Sequence, residues 1–134
     1  MPLILDASVT VAWAFSQELF QLAQPALVQV QKEHAVTPAL WQFEVASAMR
    51  KTIEDGRLSP SQASSFLADL GTLDIRLSPI LPDISRLMEL AEQFNISTYD
   101  AAYLELALQL NLPLATLDTE MAVAARKAGI VCFL

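Results

Sequence analysis

Asp6 and Asp118 each directly follow a short apolar run, Leu3-Ile4-Leu5 in one case and Leu114 to Leu117 in the other. The first, fully apolar, reads as a buried parallel strand, and Leu114 to Leu117 reads as a strand as well. Both acids are therefore expected at the carboxyl ends of strands, where open α/β sheets place their ligands. A third acid, Asp100, lies in the stretch STYDAAYLELALQL, residues 97 to 110. Counted at roughly 100° per residue, Glu105 and Gln109 form a narrow polar stripe, and Asp100 lies roughly 180° from Gln109, beside Tyr103, Leu104 and Ala107. An ionised carboxylate on an apolar face is costly to bury without a partner. A fourth acid, Glu44, sits at the edge of the apolar face of a helix read over 38–55, and Lys51, seven residues on, shares that edge.

Each acid has an ordinary structural role open to it. Asp100 completes an S-x-x-D capping box with Ser97, Asp118 is placed to cap the following helix, and Asp6 suits a cap or a turn. Glu44 suits a solvated helix face. Those roles do not explain why two acids terminate apolar strands or why a third faces inward. Convergence of all four explains both. Clustered carboxylates repel one another, and some take up protons unless a cation intervenes. Oxygen-only ligation suits Mg²⁺ or Mn²⁺. His34 and Cys132 are the softer donors, and neither stands at metal-ligand spacing from another, so zinc is not expected. Mg²⁺ keeps waters and takes phosphate oxygens as further ligands, which points to phosphoryl chemistry.

The elements that must position these acids alternate along the chain. Strands are read at Leu3 to Leu5, Ala35 to Thr37, Ile75 to Leu77, Leu114 to Leu117 and Ile130 to Phe133. Helices are read from Ser8 through Phe15 and from about Phe20 to Glu33, with Pro25 near the first turn of the latter. A further helix carries Trp41, Val45, Met49 and Ile53 to near Gly56, with Thr37 as its cap and Pro38 at its first position. Ser59-Pro60-Ser61-Gln62 opens another with a capping box. Pro82 opens one reaching about Phe94, Ser97 or Thr98 opens the Asp100 helix, and Thr119 to Ala128 forms the last, closed by Gly129. Strand–helix alternation of this kind predicts an α/β fold with a parallel sheet flanked by helices on both faces.

The chain has 134 residues, the size of one domain spanning 1–134. It is 54% hydrophobic, with mean hydropathy +0.40, yet it contains no apolar run of about 18 residues, so no membrane span is expected. MPLILDAS lacks the basic start of a secretory signal, and a single cysteine suits a reducing, cytoplasmic setting. The apolar surplus suggests a surface covered by a partner or a second copy. The net charge of −7, taken alone, argues against nucleic acid, but metal ions held by the acids would alter that balance.

LILDAS at 3–8, Glu44, STYDAAYLELA at 97–107 and LATLD at 114–118 together resemble the PIN domain, in particular its small VapC-like ribonuclease toxins of toxin–antitoxin pairs. The S-x-Y-D-A-x-Y-x-x-L-A string followed by T-x-D carries most of the specificity, and the likeness extends over nearly the whole chain. The resemblance implies a three-layer PIN-like fold with a central, mostly parallel sheet of four or five short strands. It implies Asp6, Glu44, Asp100 and Asp118 as metal-binding acids for Mg²⁺ or Mn²⁺, with the hydroxyls of Ser8 and Thr116 beside them. It implies first and fourth strands lying side by side. It further implies RNA as substrate, a homodimer, and a small antitoxin protein as partner. Lys51 and Arg50 are placed to steady a substrate phosphate. Arg126 and Lys127 form a second basic pair. The Thr-Glu-Met that follows Asp118 departs from the family pattern, and Glu120 is left outside the core site. A domain of this fold that only binds partners is one alternative. The other is a phosphatase using Asp6 as nucleophile, which Asp6-Ala7-Ser8 fits poorly because Ser8 stands where a second acid is needed.

Overall fold

The computed structural model describes residues 1–15 and 17–134. Along them run β1 (Leu3–Leu5), α1 (Ala7–Ala12), α2 (Gln17–Lys32), β2 (Ala35–Thr37), α3 (Leu40–Glu54), α4 (Pro60–Leu70), β3 (Ile75–Leu77), α5 (Ile84–Phe94), α6 (Thr98–Leu110), β4 (Leu114–Ala115) and α7 (Thr119–Lys127). The strands form one parallel sheet in the order β3-β2-β1-β4. Leu3 pairs with Ala35, Ile4 with both Val36 and Leu114, and Leu5 with Ala115. β1 is thus an interior strand, and Leu3, Ile4 and Leu5 are fully buried, as an all-apolar strand with both faces covered requires. The first and fourth strands are neighbours, as the family resemblance implies.

α6 packs on β1 and β4 and against α5. Its residues Ala101 to Ala107 are all buried, the pattern of a helix enclosed on every side. The polar stripe expected of Glu105 and Gln109 is split by its surroundings. Glu105 is buried and accepts a 2.6 Å bond from Arg86 Nε of α5, while Gln109 is exposed. Helix ends follow local chemistry. The Ser59–Gln62 capping box closes reciprocally at 3.1 and 2.9 Å. Asn95 and Asn111 end α5 and α6 in the left-handed conformation, which asparagine tolerates better than most residues.

Several boundaries differ from the sequence reading. α1 stops at Ala12, and residues 13–15 continue as turns closed by bonds such as Ala14 N–H to Val11 O. α2 begins at Gln17, so Pro25 lies inside it; burial of Ala23, Ala26 and Val30 along one face sustains the helix through the missing amide. α5 begins at Ile84, after Asp83, rather than at Pro82. Thr37 is not a helix cap. It stays in β2, its carbonyl accepts the Ser78 amide at 2.8 Å, and α3 starts after Ala39 with no side-chain cap. β4 is two residues long because the amides beyond it turn to side-chain hydroxyls. The strand expected at Ile130 to Phe133 reduces to one parallel bridge, Leu114 to Cys132, since β4 offers it only one residue to pair with. Among the described residues no helix is long and apolar enough to cross a membrane.

Candidate active site

The Asp6 amide bonds to Ala115 O at 3.0 Å, extending the β1–β4 pairing by one step and setting the carboxylate at the carboxyl edge of the sheet. Asp6 is buried, and its Oδ2 accepts from Ser8 Oγ at 2.6 Å and from Thr116 Oγ1 at 2.7 Å. Both hydroxyls also accept: Ser8 Oγ takes the Leu117 amide, and Thr116 Oγ1 takes the Asp118 amide, each at 3.0 Å. Two small hydroxyls therefore tie the end of β1 to the end of β4. Asp118 caps α7, with Oδ1 accepting the Glu120 amide at 2.9 Å and the Met121 amide at 3.2 Å. The capping role and the site position coexist in one side chain.

Glu44 reaches the same edge from α3. Tyr103 of α6 donates to its Oε1 at 2.6 Å. In Asp6, Asp118 and Glu44 alike, these bonds converge on a single carboxylate oxygen. Asp100 stands in the first turn of α6, where its amide donates to Ser97 Oγ at 3.0 Å.

The electrostatics join all four. Burial raises the pKa of Asp6, partly offset by the Ser8 and Thr116 hydroxyls and the Ala7 amide, and the charge of Asp118 adds to the rise. Burial also raises Glu44, against the Tyr103 bond, with Asp6 again adding. Asp100 is pushed up to about 6, first by burial and then by the charges of Asp118, Asp6 and Glu44. The Tyr103 phenol is held well above its ordinary value, chiefly by burial and then by Glu44, so it remains protonated and able to donate. The ion pairs of the described residues leave these four acids out. As they stand, no three His, Cys, Asp or Glu side chains among the described residues are grouped closely enough to hold a metal ion. In donor type and unanswered charge the four nevertheless fit a hard divalent cation, since all supply carboxylate oxygens and the charges of the other three add to the rise that burial causes at Asp100.

The flanking residues divide. Lys51 is exposed and lies on the Glu44 side of α3. Arg50 lies about 120° round the helix from Glu44 and pairs with Glu54 at 3.3 Å. Glu120 is exposed on the first turn of α7. Arg126 lines a groove of about 540 Å³ that begins at Thr116 and Asp118 and is walled by Leu22, Pro25, Val123 and Phe133. Sequence reading set Tyr103 among the apolar neighbours of Asp100 and gave it no role. Its position three residues after Asp100, on nearly the same helix face, was the available signal.

An interior β1 flanked by β4, with acids gathered where the two strands end, defines a PIN-type architecture. The PIN domain family model matches residues 3–127, and the chain belongs to the PIN-domain family. Within it, the chain is 30% identical to Ribonuclease VapC3 of Pyrobaculum aerophilum over 124 residues, covering 91% of this chain and 93% of that protein. It is 35% identical to Ribonuclease VapC1 of Mycobacterium tuberculosis over 97 residues, covering 71% and 68%. The crystal structure of PAE2754 from Pyrobaculum aerophilum superposes with a TM-score of 0.72 over 99% of this chain and 84% of that one, at 22% identity, and shows the shared fold.

Proposed function

We propose that this chain is a metal-dependent endoribonuclease, the toxin of a toxin–antitoxin pair, with Asp6, Glu44, Asp100 and Asp118 holding Mg²⁺ or Mn²⁺. One observation carries the reading: at one sheet edge Asp6, Glu44 and Asp100 are each raised by burial and by the charge of neighbouring acids, Asp118 among them, and among the described residues no ion pair answers the four. The relatives named as VapC ribonucleases supply the class of reaction. Bound among these acids, the cation supplies a Lewis acid for water and for the phosphodiester oxygens. Ser8 and Thr116 hold Asp6 in one orientation, and Asp118 is held by the two amides it caps. Lys51 is available to a substrate phosphate, whereas the charge of Arg50 is already met by Glu54. Asp6 is a poor candidate for a phosphatase nucleophile, because it is buried and one oxygen already accepts two hydroxyl protons.

The partner reading draws on apolar surface. The groove leading from Asp118 past Leu22 and Val123 suits an apolar segment of a small antitoxin that ends against the acids. Leu81, Ile84 and Met88 are 81%, 78% and 62% exposed, a face suited to a second copy in a homodimer. The deciding experiment is cleavage of total cellular RNA by the purified chain in EDTA, Mg²⁺ or Mn²⁺, beside Asp100→Ala. Discrete metal-dependent products that vanish in the variant are expected. Cleavage that is indifferent to EDTA, or equal in the variant, would overturn the proposal.

A further inference from the structure

Glu44 differs from the other three acids in how it reaches the sheet edge. Asp6 follows β1 directly, Asp118 lies three residues past the end of β4, and both are fixed by bonds to their own neighbourhood. Asp100 has the shorter aspartate side chain, and its backbone is set in the first turn of its helix, where its amide donates to Ser97 Oγ. Glu44 comes from α3 on a longer side chain whose rotamers would otherwise be free. The restraint it has is the Tyr103 hydroxyl, 2.6 Å from Oε1. Tyr103 is fully buried, so its ring cannot follow a swinging carboxylate. Tyr103 thus links two parts of the site: its hydroxyl holds Glu44 on α3, and its backbone belongs to the helix whose first turn carries Asp100.

We propose that Tyr103 is the positioning residue for Glu44, fixing one carboxylate oxygen so that Glu44 offers a single oxygen to a divalent cation shared with Asp6, Asp100 and Asp118. This rests on the reading of the four acids as a cation site. One-oxygen presentation matters because Mg²⁺ and Mn²⁺ accept near-octahedral sets, whereas bidentate carboxylates favour larger ions. The role is one of orientation: the phenol need not touch cation or substrate, and it need not titrate.

The test is Mn²⁺ titration calorimetry on the full chain, comparing the parent, Tyr103→Phe, Glu44→Ala and the double variant. Loss of an outer hydrogen bond to a ligand is expected to weaken Mn²⁺ binding by about tenfold in Tyr103→Phe. Glu44→Ala is expected to lose at least as much, and the double variant no more than Glu44→Ala alone. Parent-like Mn²⁺ affinity in Tyr103→Phe overturns the proposal, as does a full additional loss in the double variant. A parent that binds no Mn²⁺ overturns the cation reading along with it. If Tyr103→Phe does not fold, Tyr99→Phe serves, since it leaves Tyr103 as the sole tyrosine. Its tyrosine absorption is expected to shift on Mg²⁺ addition and to saturate with binding. An unchanged spectrum at saturating Mg²⁺ overturns the role of Tyr103 while leaving the cation site standing.

Discussion

α6 carries two carboxylates five residues apart that meet opposite environments. Glu105 is buried and is answered from within the chain, by Arg86 at 2.6 Å. Asp100 is half-buried, and the charges that act on it are those of three other acids. The same helix therefore shows what this protein does with a carboxylate that serves the fold, and what it leaves undone at one that does not. An inward acid with an internal cation stabilises packing. An inward acid among acids raises the energy of the folded state until something positive arrives.

The largest effect should fall on activity. Asp100→Asn keeps size and shape but removes a charge from the cluster, and RNA cleavage should drop by about 100-fold or more, on the scale of losing a group that anchors the charge-stabilising machinery. The metal-free variant should be more stable than the parent, because repulsion is relieved. A variant that is both fully active and less stable would place Asp100 in the same class as Glu105. Arg86→Met makes the reciprocal change. It leaves Glu105 buried without its partner, and urea unfolding should show a loss of about 2 kcal/mol, between the values for exposed and fully buried pairs. Cleavage by the folded variant should be unaffected.

Asp100 has an ordinary value of 3.8 and sits at about 6 in the folded chain, so between those values the folded state holds more protons than the unfolded one. In EDTA, stability should therefore fall as pH rises from about 4 to about 6 and stay low above that. The raised Asp6 and Glu44 act in the same direction. Saturating Mg²⁺ should restore the high-pH melting temperature by mass action on the folded state. Asp100→Asn should flatten the metal-free profile. A parent profile that instead rises across this window would show that the acids do not act on one another as described.

Much of this contrast could be read from residue order. Leu3-Ile4-Leu5 followed by Asp6 marks a strand end because a run with no polar residue needs both faces covered, whereas the strand read to Leu117 stops at Ala115, three residues before Asp118. The inward aim of Asp100 followed from helical period alone. The same period grouped Glu105 with Gln109, since it identifies a face without saying which helix lies against it. The role of Tyr103 depends on Glu44, 59 residues away, and no local pattern links the two. The last strand failed for a related reason: Ile130 to Phe133 has the composition of a strand, but a ladder needs a partner, and β4 turns its later amides to Ser8 and Thr116.

Thr37 gives the smallest and most specific test. In Thr37-Pro38 the local pattern is that of a helix cap, a hydroxyl before proline, and capping would satisfy that hydroxyl. Sheet pairing prevails instead: β2 keeps Thr37 as its last residue, fully buried, and its Oγ1 finds no hydrogen-bond partner. A neutral unpaired hydroxyl is a mild version of the unanswered charge at Asp100. Thr37→Val replaces it with a methyl of nearly the same shape, so the buried polar group disappears and the packing stays. Urea unfolding should show a gain of about 1 kcal/mol. A gain would confine functional cost to the acids and mark Thr37 as a residue whose hydroxyl the fold does not use. A loss of stability or of Mn²⁺ affinity would instead mean that Thr37 Oγ1 has a partner in solution, and the boundary between fold-serving and site-serving polar groups would move one strand further from Asp6.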